Sequence, residues 1–347
     1  MMTRGRGGMT MPVGRAPSMR DVAQAAGVSA QTVSRVLSGH PHVQPATRNR
    51  VMTVVEEMGY RRNYTARALV TGQSKTLGVL TLATDFYSRA SLSLGIEKEA
   101  RAHGYLVNNT TTDSLASSAI GQAVTRLVDQ GVDGLIIAVP LIDVDEPLER
   151  ITRRVPTVTV DGSRTSAADV VAVDQAEAAR LATRHLLELG HRTVWHIAGP
   201  DQWSDSATRV AGWRETLQEA GCEVPPELHG DWTPESGYRN GQFLGRMPEV
   251  TAVLVASDEM AFGTLRALHE LGRRVPEDVS VVGIDDIALA AYSQPPLTTI
   301  RQSFEQTGRQ AVAHLIRQMT HPEPDHSSER VAPELIIRSS TAPPPGG

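Results

Sequence analysis

Gln31, Ser34 and Arg35 are spaced to share one face of a helix. Glutamine and arginine are the side chains whose paired donors and acceptors match adenine and guanine edges in the major groove. They belong to the run Asp21-Val22-Ala23-Gln24-Ala25-Ala26-Gly27-Val28-Ser29-Ala30-Gln31-Thr32-Val33-Ser34-Arg35-Val36-Leu37. Apolar residues recur there at helical spacing on both sides of Ala-Gly-Val-Ser, which supplies a tight turn. Small Ala25 and Ala26 allow the two helices to approach. Ala30, Gln31, Ser34 and Arg35 are expected on the outer face of the second helix, with Ser and Thr at its start able to hold phosphates, as can the helix N-terminus. An ordinary solvated helical hairpin would account for Gln31 alone but poorly for the whole pattern.

A second chemistry is spread along the chain. Asp161, Ser257, Asp258, Asp285 and Asp286 each follow a short apolar run, Arg209 opens a helical pattern after Gly199-Pro200, and Trp232 sits in Gly-Asp-Trp. Carboxylates and a forked guanidinium can bracket the hydroxyls of a sugar while an aromatic ring faces its apolar side. Each of these residues alone also reads as a helix cap or a loop residue, Asp258 above all.

The elements that would position them are of two kinds. Residues 1–17 have no periodicity and are expected to be disordered. From Ser18 to Tyr60 three short helices follow: one capped by Ser18 with Asp21 three residues on, one capped by Ser29, and one starting near Pro45. Asn63 to Gly72 reads as a linker able to form one or two helical turns. From Leu77 onward, apolar runs (Leu77–Leu82, Leu135–Val139, Thr157–Val160, Thr193–Ile197, Ala252–Val255, Ser280–Ile284) alternate with amphipathic helical segments that end in glycine. Such alternation predicts an α/β core of two doubly wound parallel-sheet subdomains, about 265 residues being long for one. Doubly wound pairs take ligands at strand carboxyl ends and between domains.

Charge divides the chain the same way. Residues 1–75 hold eleven Lys/Arg against three Asp/Glu, net +8, while the remaining residues carry net −13. A basic head on an acidic body suits a protein that touches a polyanion with one end, although a solvated basic tail would give the same count. The single cysteine, Cys222, cannot form an internal disulfide, which suits a reducing compartment. No apolar stretch is long enough to span a membrane, and the N-terminus lacks the apolar core of a signal peptide. The chain is therefore expected to be cytoplasmic, with no membrane partner. No P-loop, G-x-S-x-G or H-E-x-x-H motif occurs, so neither an enzyme nor a cofactor or metal is expected.

The pattern D-V-A-x-x-A-G-V-S-x-x-T-V-S-R-V-L resembles the signature of the LacI/GalR family, and the likeness runs from Ser18 to about Arg338. It implies a helix-turn-helix domain over 18–62, a hinge helix over 63–74, and a sugar-binding, dimerising core over 75–340. The core's N-subdomain would be about 75–173 with 304–331, its C-subdomain about 174–303 with 332–340, and 341–347 a tail. Ala30, Gln31 and Arg35 would read bases, Ala30 standing where a member of the family has Tyr. Thr32, Ser34, His42 and Asn63 would touch phosphate or positioning sites, and Leu69 would wedge into the minor groove. Asp161, Arg209 and Asp285 match polar sugar ligands, Trp232 and Phe304 ring-facing aromatics, and Ser257 and Gln302 further pocket positions. Agreement is poor around Leu82 to Leu92, where Phe86, Ser88 and Arg89 replace other residues, and Ala138 replaces an Asn. Arg62 stands where many members have Pro. The resemblance implies a homodimeric repressor on double-stranded operator DNA, released by a small sugar or glycoside. A corepressor in place of an inducer, or an exported sugar-binding protein of a transporter, are the rival readings. Residues 18–60 and the missing signal peptide argue against the second.

Overall fold

The computed structural model describes residues 17–61, 72–84, 87–140, 146–160, 168–321 and 327–346. Asn63, Leu69, Asp161 and the tail through residue 16 lie outside them, as does most of the expected hinge. The chain divides into two compact units, Met1–Ser74 and Lys75–Gly347.

In the first unit three helices, α1 (Met19–Ala25), α2 (Ala30–Leu37) and α3 (Pro45–Glu57), pack pairwise. Ser18 and Asp21 cap α1 reciprocally, so two otherwise orphaned backbone donors are satisfied. The turn into α2 closes when Val28 N–H bonds Ala23 O at 3.0 Å and Gly27 N–H bonds Gln24 O at 3.3 Å. That closure needs Gly27 at φ +62°, where a side chain would be strained. Val22, Ala23, Ala26, Val33, Val36, Val51 and Tyr60 form the core. Two expectations are corrected here. Ala25 is exposed, so Ala26 alone serves the helix–helix contact, and Ala30 is half-buried against the core, so the free outer face begins at Gln31. A residue at the first helical position is tucked beneath the turn that precedes it.

The second unit holds twelve strands among the described residues. One sheet contains β1 (Thr76–Leu82), β2 (Leu106–Thr112), β3 (Gly134–Ala138), β4 (Thr157–Val160), β5 (Asp169–Val173) and β11 (Ser328–Val331), in the order β11-β5-β4-β3-β1-β2. The other contains β6 (Trp195–Ala198), β7 (Leu228–His229), β8 (Ala252–Val255), β9 (Ser280–Asp285), β10 (Thr298–Arg301) and β12 (Glu334–Ile336), in the order β12-β10-β9-β8-β6-β7. The same winding occurs twice, and every pairing is parallel except β10 with β12. The chain passes between sheets after β5, β10 and β11.

Helices cover both faces of each sheet. In the first, α4 (Tyr87–Ala102) packs on α11 (Phe304–Thr320), and α5 (Ser117–Asp129) on α6 (Glu146–Thr152). In the second, α7 (Gln175–Glu188) packs on α8 (Ser204–Glu219), and α9 (Pro234–Leu244) on α10 (Asp258–Glu270). Each helix pair closes its own apolar cluster. Six strands escape the apolar-run reading. β2 is Leu-Val-Asn-Asn-Thr-Thr-Thr at a half-exposed edge, β7, β10, β11 and β12 are short or polar, and β5, Asp-Val-Val-Ala-Val, is a buried apolar run that the reading passed over. The start of the expected tail is also fastened. Ala342 N–H bonds Ser280 Oγ at 3.0 Å, and His191 Nε2 lies 3.0 Å from Ala342 O. Backbone groups running beside β9 must find partners, and these are the nearest.

His196 on β6 is fully buried against Trp213, its Nδ1 on Leu254 O at 3.0 Å and its Nε2 without a partner among the described residues. Burial, opposed by the Leu254 carbonyl and assisted by Arg209, lowers its pKa to about 4. The folded state therefore resists the proton that an unfolded histidine accepts below about 6.5. The stability His196 contributes is full above that pH and is lost as pH falls toward 4. Urea midpoints of wild type and His196→Phe should diverge on acidification, the wild type losing up to about 3 kcal/mol more between pH 7.5 and 4.5. Parallel pH profiles would refute this.

Candidate functional site

In the first unit Gln31, Ser34 and Arg35 are exposed on α2. Ser29 Oγ accepts the Thr32 N–H at 3.1 Å and shares a hydrogen bond with Thr32 Oγ1 at 2.9 Å. Thr32 is thus engaged in fixing the start of the helix, which points its first free backbone donors outward. His42 is exposed with its ring 5.5 Å from that of His40, and Arg48 donates to His40 O at 2.8 Å, holding the turn after α2. The result is a short, stiff helix with two forked polar side chains and a hydroxyl on one open face.

In the second unit a cleft is lined by residues from both subdomains. Arg209, Trp232, Ser257, Asp285 and Phe304, all expected from the sequence, meet there. They come from α8, the loop after β7, the cap of α10, the end of β9 and the start of α11. Ser88, Arg89, Leu92, Trp203, Asp205 and Glu259 complete the wall. Gln302 lies behind the cleft, supporting it. Asp258, which the sequence left between cap and ligand, accepts Ile287 N–H at 2.9 Å and Thr299 Oγ1–H at 2.6 Å, and burial raises its carboxyl to about 7. Asp286 points into ion pairs with Arg301 at 2.7 Å and Arg338 at 2.6 Å. Both carboxyls fix the β9–β10 turn.

A buried chain of hydrogen bonds links the cleft's cation to its carboxyl. Arg209 Nε donates to Gln175 Oε1 at 2.8 Å, Gln175 Nε2 donates to Gln302 Oε1 at 2.8 Å, and Gln302 Nε2 donates to Asp285 Oδ1 at 2.6 Å. Arg209 Nη1 also donates to Ala256 O. Gln175 and Gln302 stand at two of the crossings between sheets. Burial pushes the Asp285 carboxyl well above the usual carboxylate range, against the pull of Arg209 and the Gln302 amide. Burial likewise raises Asp205, opposed by Arg209, Arg89 and Ser204.

The aromatic side is equally constrained. The Arg209 guanidinium lies 5.4 Å from the Trp232 ring centroid, and Trp203 meets Trp232 edge-on at 5.5 Å. Trp232 can sit this deep because Gly199 faces it: a Cβ there would come within 2.2 Å of the indole. Trp232 and Asp285 both hold positive φ, +70° and +122°, which non-glycine residues rarely tolerate and which clusters where a site over-determines the backbone. Neutral polar ligands with an apolar face fit such a lining: bidentate donors and acceptors opposite an indole.

Sequence reasoning missed Trp203, Asp205 and Gln175. Trp203-Ser204-Asp205 follows Gly199-Pro200 closely enough to have been suspected, but a lone glutamine at a helix start carries no signal. Replacing Gln175 by Leu would leave the Arg209 Nε–H and Gln302 Oε1 buried without partners. It is expected to cost roughly 2–5 kcal/mol in denaturant unfolding. A loss under about 1 kcal/mol would show the chain to be dispensable.

Comparison with known proteins adds four findings. Family models match twice: "Bacterial regulatory proteins, lacI family" over residues 18–63 and "Periplasmic binding protein-like domain" over 183–341. The lactose operon repressor of Escherichia coli K12 is 34% identical over 329 residues, covering 94% of this chain and 91% of that protein. A crystal structure of the lac repressor dimer bound to operator and the anti-inducer ONPF has a TM-score of 0.87 at 32% identity, covering 94% of this chain and all of that one. A complex of the transcriptional regulator CelR with cellobiose has a TM-score of 0.69 at 32% identity, covering 93% and 99%.

Proposed function

The chain belongs to the lacI family of bacterial regulatory proteins, and we propose that it is a transcriptional repressor whose hold on operator DNA is controlled by a sugar or glycoside bound in its core. The observation that carries this reading is the coexistence in one chain of an exposed Gln31/Ser34/Arg35 face and a cleft pairing Arg209 and Asp285 with Trp232. Its relatives are transcription regulators rather than enzymes. No described helix is long and apolar enough to cross a membrane. We assign it to the cytoplasm, where operator DNA is.

The protein works as a homodimer, two α2 helices entering successive major grooves of a pseudo-palindromic site. Gln31 and Arg35 contact base edges, Ala30 being packed against the core instead. Thr32, Ser34 and His42 contact the phosphate side, and Asn63 and Leu69 act in the hinge, Leu69 in the minor groove. In the core, Arg209, Asp285 and Asp161 hold hydroxyls, Trp232 and Phe304 face the ring, and Ser257 lies at the edge. Gln302 keeps Asp285 oriented. Sugar bound between the subdomains changes their orientation, the paired hinges separate, and operator affinity falls. Linkage then requires the operator to weaken sugar binding by the same factor. We assign the sugar as an inducer.

Two substitutions test the two ends separately. Arg35→Ala should weaken specific operator binding by about 1–3 kcal/mol and relax discrimination against random DNA in a mobility-shift assay. Arg209→Ala should bind operator normally and no longer release it with sugar. Retained sugar release in that variant would dismiss the cleft as the effector site, and indifference of the wild type to duplex DNA at low salt would dismiss repression altogether.

A further inference from the structure

Trp203 joins the two halves of the core. It is half-buried immediately before α8, in the C-subdomain, and lines the cleft. It packs against the cluster of Ile197, Trp232 and Met260 in its own subdomain. It also packs against the cluster of Leu80, Leu82 and Leu148 in the other. Among the described apolar side chains no other belongs with clusters of both subdomains. A cation from the N-subdomain reaches the same ring. The Arg89 guanidinium stands 5.9 Å from its centroid and is anchored on Ala138 O at 3.1 Å.

The cleft beneath is tight. Its cavity is about 40 Å³, room for water, whereas sites for small organic ligands run to ~300 Å³ or more. A sugar ring therefore enters only if the subdomains part or a wall side chain moves. The other large wall groups are fixed, Trp232 against Gly199, and Arg209 and Asp285 by the buried hydrogen bonds. Parting the subdomains draws Trp203 off one cluster and returns apolar surface on both sides to water. Its backbone heads α8: Trp203 N–H bonds Pro200 O at 3.1 Å, and Ala207 N–H bonds Trp203 O at 3.1 Å. Displacing it therefore disturbs the helix start that carries Asp205 and Arg209.

We propose that Trp203 is a clasp across the cleft: seated on the apolar clusters of both subdomains, it holds them together, and a ligand enters only when it lets go. The gating rests on the reading of the cleft as the effector site; the clasp itself does not. A protein that is closed most of the time binds with an affinity reduced by its open fraction, so loosening the clasp favours entry. A ring that merely faced the bound sugar would act differently. Its loss would speed release and leave entry unchanged.

The test compares full-length wild type, Trp203→Ala and the milder Trp203→Phe, with melting temperatures to show that each folds. Without any sugar, amide exchange read by mass spectrometry should quicken about fivefold or more in Trp203→Ala on both sides of the cleft. The segments are Leu80–Leu82 and α5 in one subdomain and the Gly230–Thr233 loop in the other, and Trp203→Phe should show a smaller effect. Faster exchange confined to the C-subdomain, or none, overturns the clasp. With lactose, cellobiose and ribose in turn, stopped-flow fluorescence of the remaining tryptophans should show the on-rate of whichever binds rising about tenfold in Trp203→Ala. An unchanged on-rate with faster release overturns the gate and makes Trp203 a ligand-facing ring. If no sugar of the panel binds wild type or variant, the effector reading and the gate both fail, while the exchange result still decides the clasp.

Discussion

Burying a guanidinium and a carboxyl a short distance apart, without letting them pair directly, is the constraint around which the core is organised. Charges removed from water must be satisfied by hydrogen bonds or partners. Here two amides do it: Gln175 and Gln302 bridge Arg209 to Asp285 through contacts of 2.6–2.8 Å. An amide carries one acceptor and two donors, so the order cation, amide, amide, carboxyl fixes the orientation of both glutamines. The polar groups facing the cleft are thereby held ready, and both ends of the chain keep capacity for a ligand.

Those two glutamines sit where the chain passes between sheets. The buried chain thus joins the cleft wall to both crossings through three hydrogen bonds. The duplicated winding places it there. In each sheet the strand order reverses beside the first strand, β1 or β6, and the carboxyl ends of the parallel strands open toward the cleft. Positive φ at Trp232 and Asp285 shows backbone held in place by its surroundings. Gly199 on one side and Asp258 on the other supply that support.

The first unit follows a different economy. Seven buried side chains hold three helices, and the determinants are local: reciprocal capping at Ser18 and Asp21, a left-handed Gly27, a cap at Ser29. Little apolar area is available to so small a core, so turn chemistry carries much of its definition. Charge follows the same division, a basic segment against an acidic α/β core.

The sequence by itself determined the three-helix unit, the parallel α/β core and most of one cleft wall. Caps, turns and buried strands are written in consecutive residues. Gly27 and Ser29 mark a turn wherever they occur, and Val-rich runs such as Ser280–Ile284 admit few alternatives to a covered strand. What only the tertiary structure decided are the features made by residues far apart in the chain. Ala30 turned inward because of the turn before it. Asp286 went to Arg301 and Arg338, and Gln302 to a place behind Asp285 beside Gln175, 127 residues away. Polar side chains such as Gln175 and Arg89 take their meaning from which buried groups remain unsatisfied around them. That bookkeeping exists only once the core has closed and water has left, because an exposed glutamine or arginine meets its donors and acceptors with solvent and carries no preference at all.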